Sequence, residues 1–265
     1  MKNRTHRKHL LIPDAHARPG ESLRRFEWLG KLIMDEMPDV IIDIGDWFDM
    51  ESLCSYDKGT KSFEGRRYKA DIKAGHDAEL LAFGPILEYN KRAAANHKVR
   101  YTPTILRITG NHEERIQRAV EKQPELDGAI GMQDLRSPLE DLLPITRHDF
   151  LTPVLIDGVA YAHYFVSGVM GRPVSSAQAM LSKHHMSCTA GHLHSRDWSE
   201  GLRADGTRIQ GLICGAYLDP DHRAHYTNQQ SQSLWWSGIH VKHRVIQGCY
   251  DRQEISVGEM RERYE

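Results

Sequence analysis

Five short segments of this chain each close a hydrophobic run with side chains that bind metal ions. Asp14-Ala15-His16 follows Leu10-Leu11-Ile12, and Gly45-Asp46-Trp47-Phe48-Asp49 follows Val40 to Ile44. Gly110-Asn111-His112-Glu113 follows Thr104 to Ile108, His163 follows Val159 to Ala162, and Gly191-His192-Leu193-His194 follows Ser187 to Ala190. Each alone has an ordinary reading. An Asp-x-His is a common strand end, Asn-His-Glu reads as a helix start, and a single His after a strand is usually a surface or core residue. Five in succession constrain the chain to a fold that gathers several strand ends at one place. On an extended strand, residues i and i+2 point the same way, so Asp14 with His16, and His192 with His194, can each reach one ion. Gly45 and Gly110 allow the tight turns where their strands stop. Oxygen and nitrogen ligands without thiolates suit manganese, iron or zinc. Cys54, Cys188, Cys214 and Cys249 form no C-x-x-C pair, which argues against a structural zinc site.

The order D-x-H, GD-x-x-D, GNHE, H, GHxH resembles the calcineurin-like metallophosphoesterase superfamily over residues 9 to about 216. The resemblance implies a four-layer α-β-β-α sandwich of two mixed sheets and two divalent metal ions, manganese first, with iron, zinc or magnesium as alternatives. It implies that Asp46 bridges both ions, that Asp14, His16 and His194 complete one site, and that Asn111, His163 and His192 complete the other. Two ions about 3.5–4 Å apart activate water and clamp phosphoryl oxygens. His112 then acts as general acid or phosphate contact, oriented by Asp49.

The chain has 265 residues, is 40% hydrophobic and carries a formal net charge of −1, enough for one large domain across 1–265. Balanced charge gives no global argument for nucleic acid. No apolar run approaches the ~18 residues of a membrane span, and Leu10 to Ile12 is too short for the ~7–15 apolar residues of a signal peptide. With cysteines sparse, the expected compartment is the cytoplasm.

Along the chain, a strand at 9–13 precedes a helix from about Ser22, with Phe26, Leu29, Leu32, Ile33 and Met37 on one face and Pro38 as its stop. The continuous apolar strand at 40–44 predicts a buried, largely parallel sheet, and Thr104 to Ile108 reads as the third strand. Residues 50–103 form an insertion. Its first part, 56–73, interleaves Lys58, Lys61, Arg66, Arg67, Lys69 and Lys73 with Tyr56, Phe63 and Tyr68. Its second part, 75–97, is helical, with Gly84-Pro85 expected to kink or break it. That helix packs on the domain or on a second subunit, as in a homodimer through the insertion. Residues 123–152 read as irregular. Val154 to Tyr161 reads as a hairpin on Asp157-Gly158, followed by a helix at 175–185, a hairpin from Trp198 to Cys214, and two or three strands between Leu234 and Ser256. His6 and His9 sit in a basic lead, His184 and His185 are expected to be exposed, and His222 and His225 follow the strand leaving the site and could line it.

The implied reaction is phosphoester hydrolysis, of a nucleotide or nucleic-acid diester. The superfamily's protein phosphatases follow the second Asp of GD-x-x-D with Arg-Gly, whereas Asp49 is followed by Met50-Glu51. A phosphomonoesterase would need a compensating arginine, for which Arg115, Arg18 and Arg172 are available. The insertion resembles those of calcineurin-like phosphoesterases from tailed bacteriophages, and Arg66 and Arg67 would track a phosphate backbone with stacked bases. A different class is an inactive interaction scaffold on the same fold. Such scaffolds lose ligands, whereas here every expected position is filled.

Overall fold

The computed structural model describes residues 6–219 and 229–265; His222 and His225 lie outside them. The first sheet contains β1 (Arg7–Ile12), β2 (Val40–Asp43), β3 (Thr104–Ile108), β4 (Ile145–His148), β10 (Gly238–Ile246) and β11 (Cys249–Ser256), ordered β11-β10-β1-β2-β3-β4. The run β1 to β4 is parallel, and β10 and β11 are antiparallel additions. The second sheet contains β5 (Val154–Ile156), β6 (Val159–Ala162), β7 (Ser187–Ala190), β8 (Arg196–Leu202) and β9 (Arg208–Cys214), ordered β5-β6-β7-β9-β8. Here β6, β7 and β9 are parallel, with antiparallel β5 and β8 at the edges.

Alternation along each strand explains the layers. Leu10, Ile12, Ile41, Ile105, Ile239 and Val241 pack against α1 (Arg24–Glu36), α2 (Tyr68–Ala95) and α6 (Val257–Tyr264). Leu11, Val40, Ile42, Leu106 and Ile108 face the second sheet's Val159, Tyr161, Leu212 and Cys214. That sheet's opposite face packs Ala160, Ala162, Cys188 and Ala190 on Met180 of α4 (Ala177–His184). The result is the expected α-β-β-α sandwich of two mixed sheets. Strands buried on both faces are largely apolar, as Leu10-Leu11-Ile12 of β1 and Val40-Ile41-Ile42 of β2 are.

Several local expectations fail for identifiable reasons. Pro85 does not break α2, which runs unbroken from Tyr68 to Ala95. A proline leaves the carbonyl four residues earlier without its amide. That carbonyl, of Leu81, faces Gly30 of α1, where a Cβ would lie 2.7 Å from it and 3.0 Å from the Pro85 ring. The bare glycine lets the two helices meet at this point. The helix also uses Glu79, fully buried, to pair with Arg107 of β3, so the insertion belongs to the core of its own chain. Residues 123–152 are not wholly irregular: β4 joins β3 as a parallel edge strand. After β11, α6 follows beyond the last segment read from the sequence. The hairpin at Asp157-Gly158 has φ of 51° and 84° at these residues, as a tight turn with two positive-φ positions requires.

His9 is not part of an exposed lead. It is fully buried between the sheets, with Nδ1 2.8 Å from the Tyr161 hydroxyl and Nε2 2.8 Å from Asp157, which Arg7 also holds. Burial dominates and pushes its pKa down to about 4, against the pull of Asp157. The unfolded chain therefore binds this proton below pH ~6.5, while the native state refuses it until about pH 4. Stability should fall as pH drops through that window. Urea unfolding should show wild type losing about 2 kcal/mol more than His9→Gln between about pH 7 and about pH 5. Parallel losses in the two proteins would remove His9 from this role.

Candidate metal centre

The parallel strands of both sheets end at matched levels, and their C-terminal ends meet. Ile12 pairs with Asp43 at the end of β1 and β2, and Ala162 pairs with Ala190 at the end of β6 and β7. The loops beyond stay in register: His16 N–H donates to Asp46 O (2.8 Å), Ala17 N–H to Trp47 O (2.7 Å), and Gly191 N–H to His163 O (2.9 Å). Two clusters of ligand-type atoms result. Asp14, His16 and His194 form one, and Asp46, His163 and His192 form the other, each with its ligand atoms within 4.8 Å of one another.

Asn111 joins the second cluster. Its Oδ1 lies 2.9 Å from His163 Nε2 and 2.7 Å from His192 Nδ1. The Asp46 carboxylate lies between the clusters, with Oδ2 3.4 Å from His163 Nε2 and 3.9 Å from His16 Nε2. All seven residues predicted as ligands are thus brought together. One geometric expectation fails. His192 and His194 do not reach one ion as i and i+2 of a strand would. Both adopt left-handed backbone (φ 69° and 57°), which sends His192 to one cluster and His194 to the other.

The polar atoms here fit cations. His16 Nδ1 lies 3.0 Å from Asp49 Oδ1; as the donor there, it leaves Nε2 as a lone pair, 3.1 Å from His194 Nε2. Likewise, His163 Nδ1 faces the Ile44 carbonyl (3.2 Å), which orients an Nε2 lone pair at the Asn111 oxygen. Asp14 Oδ1 is buried with no hydrogen-bond partner. Lone pairs converging in a buried site repel unless a cation lies among them. These residues could hold two divalent ions. Burial is the main force lowering His16 and His192 to about 4, so both imidazoles are neutral, as ligands must be, at neutral pH. Burial works to raise Asp46, but the surrounding histidines when protonated, with the His112 amide donating to Oδ1 (2.9 Å), outweigh it and leave a net fall.

His112 lies beside the clusters. Its Nδ1 is 2.9 Å from Asp49 Oδ1, and its Nε2 is 3.0 Å from Arg115 Nη2 and 3.9 Å from Asp46 Oδ2. Burial depresses its pKa, but Asp46 and Asp49 overcome this and leave a net rise. Asp49 therefore orients His112, as expected, and His16 as well, which was not anticipated. With His16 and His112 it forms a third compact group of the same residue types.

The predicted arginines separate. Arg115 is at the site, also bonded to the Asp49 and Met50 carbonyls. Arg18 pairs with Glu21 and Glu51, and Arg172 is exposed on a hairpin spanning 166–173. Arg66 is held by Asp57 (2.7 Å) and Glu51 (3.4 Å), with only 9% of its side chain exposed. Arg67 is exposed and donates to the Arg66 carbonyl.

Two supporting residues escaped the sequence reading. Glu113 does not merely open a helix; α3 starts two residues later (Arg115–Lys122). Its buried carboxylate accepts from the amides of Asp46 (3.1 Å), Phe48 (2.8 Å) and Gly110 (2.9 Å), which ties the β2 and β3 loops together. Arg25 is fully buried in α1 and donates to the Ala15 (2.8 Å) and Tyr217 (3.1 Å) carbonyls, which fixes the Asp14–His16 loop. Arg25 left a signal, since it lies four residues before Leu29 on the core-facing stripe. Glu113 left none, because its partners are backbone amides.

No family model and no curated protein matches this chain. Among solved structures it is similar to YfcE, a phosphoesterase from E. coli, at 12% identity and a TM-score of 0.38, over 94% of this chain and 99% of that one. With an identity and a TM-score this low, the likeness says nothing about this chain's function.

If Glu113 sets the spacing of Asp46 and Asn111, Glu113→Gln should weaken divalent-metal affinity by about 10–100-fold with the far-UV circular dichroism spectrum retained. Calorimetric titration that finds unchanged affinity would show that the loops hold their spacing without it.

Proposed function

We propose that this chain is a dinuclear-metal-dependent phosphoester hydrolase, and that its substrate is a nucleotide or nucleic-acid phosphodiester. The observation that carries the reading is the Asp46 carboxylate between two histidine-rich clusters, with His112 beside it and held by Asp49. Asp14, His16, Asp46 and His194 would hold one ion, and Asp46, Asn111, His163 and His192 would hold the other. When bound, such a pair supplies an acidified water and positive charge at the phosphoryl oxygens.

The chain's own groups do the rest. Asp49 holds the His112 ring by Nδ1, which aims Nε2 at the leaving oxygen. A proton on Nε2 is incompatible with the contact from Arg115, so Arg115 must turn away as the leaving group arrives. Its guanidinium is then available to the phosphate. Burial of the site excludes bulk water and strengthens each charge–charge contact.

Arg115 also favours a second reading, a phosphomonoesterase, since it supplies an arginine where a dianion would need one. Diester is preferred because a cleft lined by Lys58, Arg118 and Lys122 leads away from Asn111 and His192, where a second substituent on the phosphate would lie. Comparing an aryl diester with an aryl monoester under manganese decides between them, and turnover of neither removes the enzyme reading.

Asp46→Asn should lose metal and activity together while staying folded; full turnover in that variant contradicts a bridging role. His112→Ala should keep its metal and slow turnover by about 10²–10⁴-fold, less for a nitrophenyl leaving group that needs no proton. Loss of metal in His112→Ala would make it a ligand instead.

A further inference from the structure

A cleft of about 440 Å³ opens directly from the candidate centre, with Asn111 and His192 at its inner end. Helix α3 forms one wall. Arg115, Arg118 and Lys122 fall at i, i+3 and i+7 and so share one stripe of that helix. Arg118 Nη2 donates to the Asn111 backbone carbonyl (2.6 Å), which places its guanidinium beside the site, and Lys122 is one turn further out, about 6 Å along the axis. The opposite wall is the insertion segment 52–58, with Lys58 exposed on it. No carboxylate lines the cleft among the described residues. Asp57, next to Lys58, is taken up by Arg66.

Two aromatic rings complete it. Tyr164 packs edgewise on Phe150, with ring centroids 5.6 Å apart, and lies 4.8 Å from the His192 ring. Tyr56 is 89% exposed on the insertion wall. A large ring left in water beside four cations offers a flat stacking surface.

We infer that this cleft holds the remainder of a single-stranded nucleic acid next to the scissile phosphate. The neighbouring phosphate sits on Arg118 and Lys122 and a base stacks on Tyr164. The inference rests on the hydrolase reading for what happens at the inner end. Cations alone would equally take an acidic peptide, but the two rings favour bases. The volume admits one or two nucleotide units and not a duplex, since sites of a few hundred Å³ enclose molecules of about that size. The basic-aromatic signal of residues 56–73 is thereby divided. Tyr56 and Lys58 face the cleft, while Arg66 is consumed in holding the segment together.

The test is equilibrium binding of a fluorescently labelled single-stranded DNA oligomer to the full chain, with EDTA present so that nothing is cleaved. Arg118→Glu with Lys122→Glu should weaken binding by about tenfold or more, and should make the dependence of log Kd on log salt shallower by about one per cation lost. Lys58→Glu, which has no tie to Asn111, should weaken it in the same direction. Tyr164→Leu should cost about fivefold or more. Reversing Lys91 and Lys98, exposed near the C-terminal end of α2, should change Kd by less than about twofold. The inference is overturned if the cleft variants bind as wild type does, if the α2 control weakens binding equally, or if an acidic phosphopeptide competes as well as unlabelled oligomer. Manganese-dependent turnover of an aryl diester by wild type decides the hydrolase reading separately.

Discussion

Buried lone pairs that face one another need positive charge between them, and this fold is built around such a place. Asp14, Asp46 and Asp49 are buried at one end of the sandwich with the imidazoles of His16, His112, His163 and His194. Carboxylates removed from water are costly unless paired, and neutral imidazoles are poor partners. The hydrogen bonds from the far ring nitrogens make this sharper. Asp49 and the Ile44 carbonyl hold His16 and His163 so that their second nitrogens point inward without protons. A cation at each cluster would convert that repulsion into coordination.

The backbone is bent to reach this arrangement. His16, Asp46, His192 and His194 all have positive φ, at about 1–3 kcal/mol each for non-glycine residues. Glycines make the close approaches. A Cβ at Gly110 would lie 2.1 Å from Asp46 Oδ1, and one at Gly191 would lie 2.2 Å from Asp14 Oδ1. Strain and crowding at that level persist only where surrounding structure holds them, and here the holders are Glu113 and Arg25. Both satisfy backbone groups of the ligand-bearing loops from positions that are not themselves ligands.

Much of this was legible in the sequence, and unevenly so. The continuous apolar strand at 40–44 announced a sheet covered on both faces, and the Asp, Asn and His residues announced where the strands end. What could not be read were features set by distant neighbours. Pro85 stays within a helix because Gly30, in another helix, leaves room for the orphaned Leu81 carbonyl. His9 looked like part of a basic tail but is a buried partner of Tyr161 and Asp157. The family resemblance implied the parting of His192 and His194, but strand geometry did not, because it rests on two left-handed residues that no periodicity encodes. Arg66 carried the charge of a phosphate binder, yet its charge serves Asp57 and Glu51.

Paired cation sites that share Asp46 underlie the proposed hydrolase. The most direct measurement is calorimetric titration of manganese into protein stripped of metal by a chelator, with bound metal counted by mass spectrometry. Two ions per chain are expected, with thermal stability rising as both sites fill. Binding of no ion, or of a single ion at saturation, would contradict a dinuclear centre.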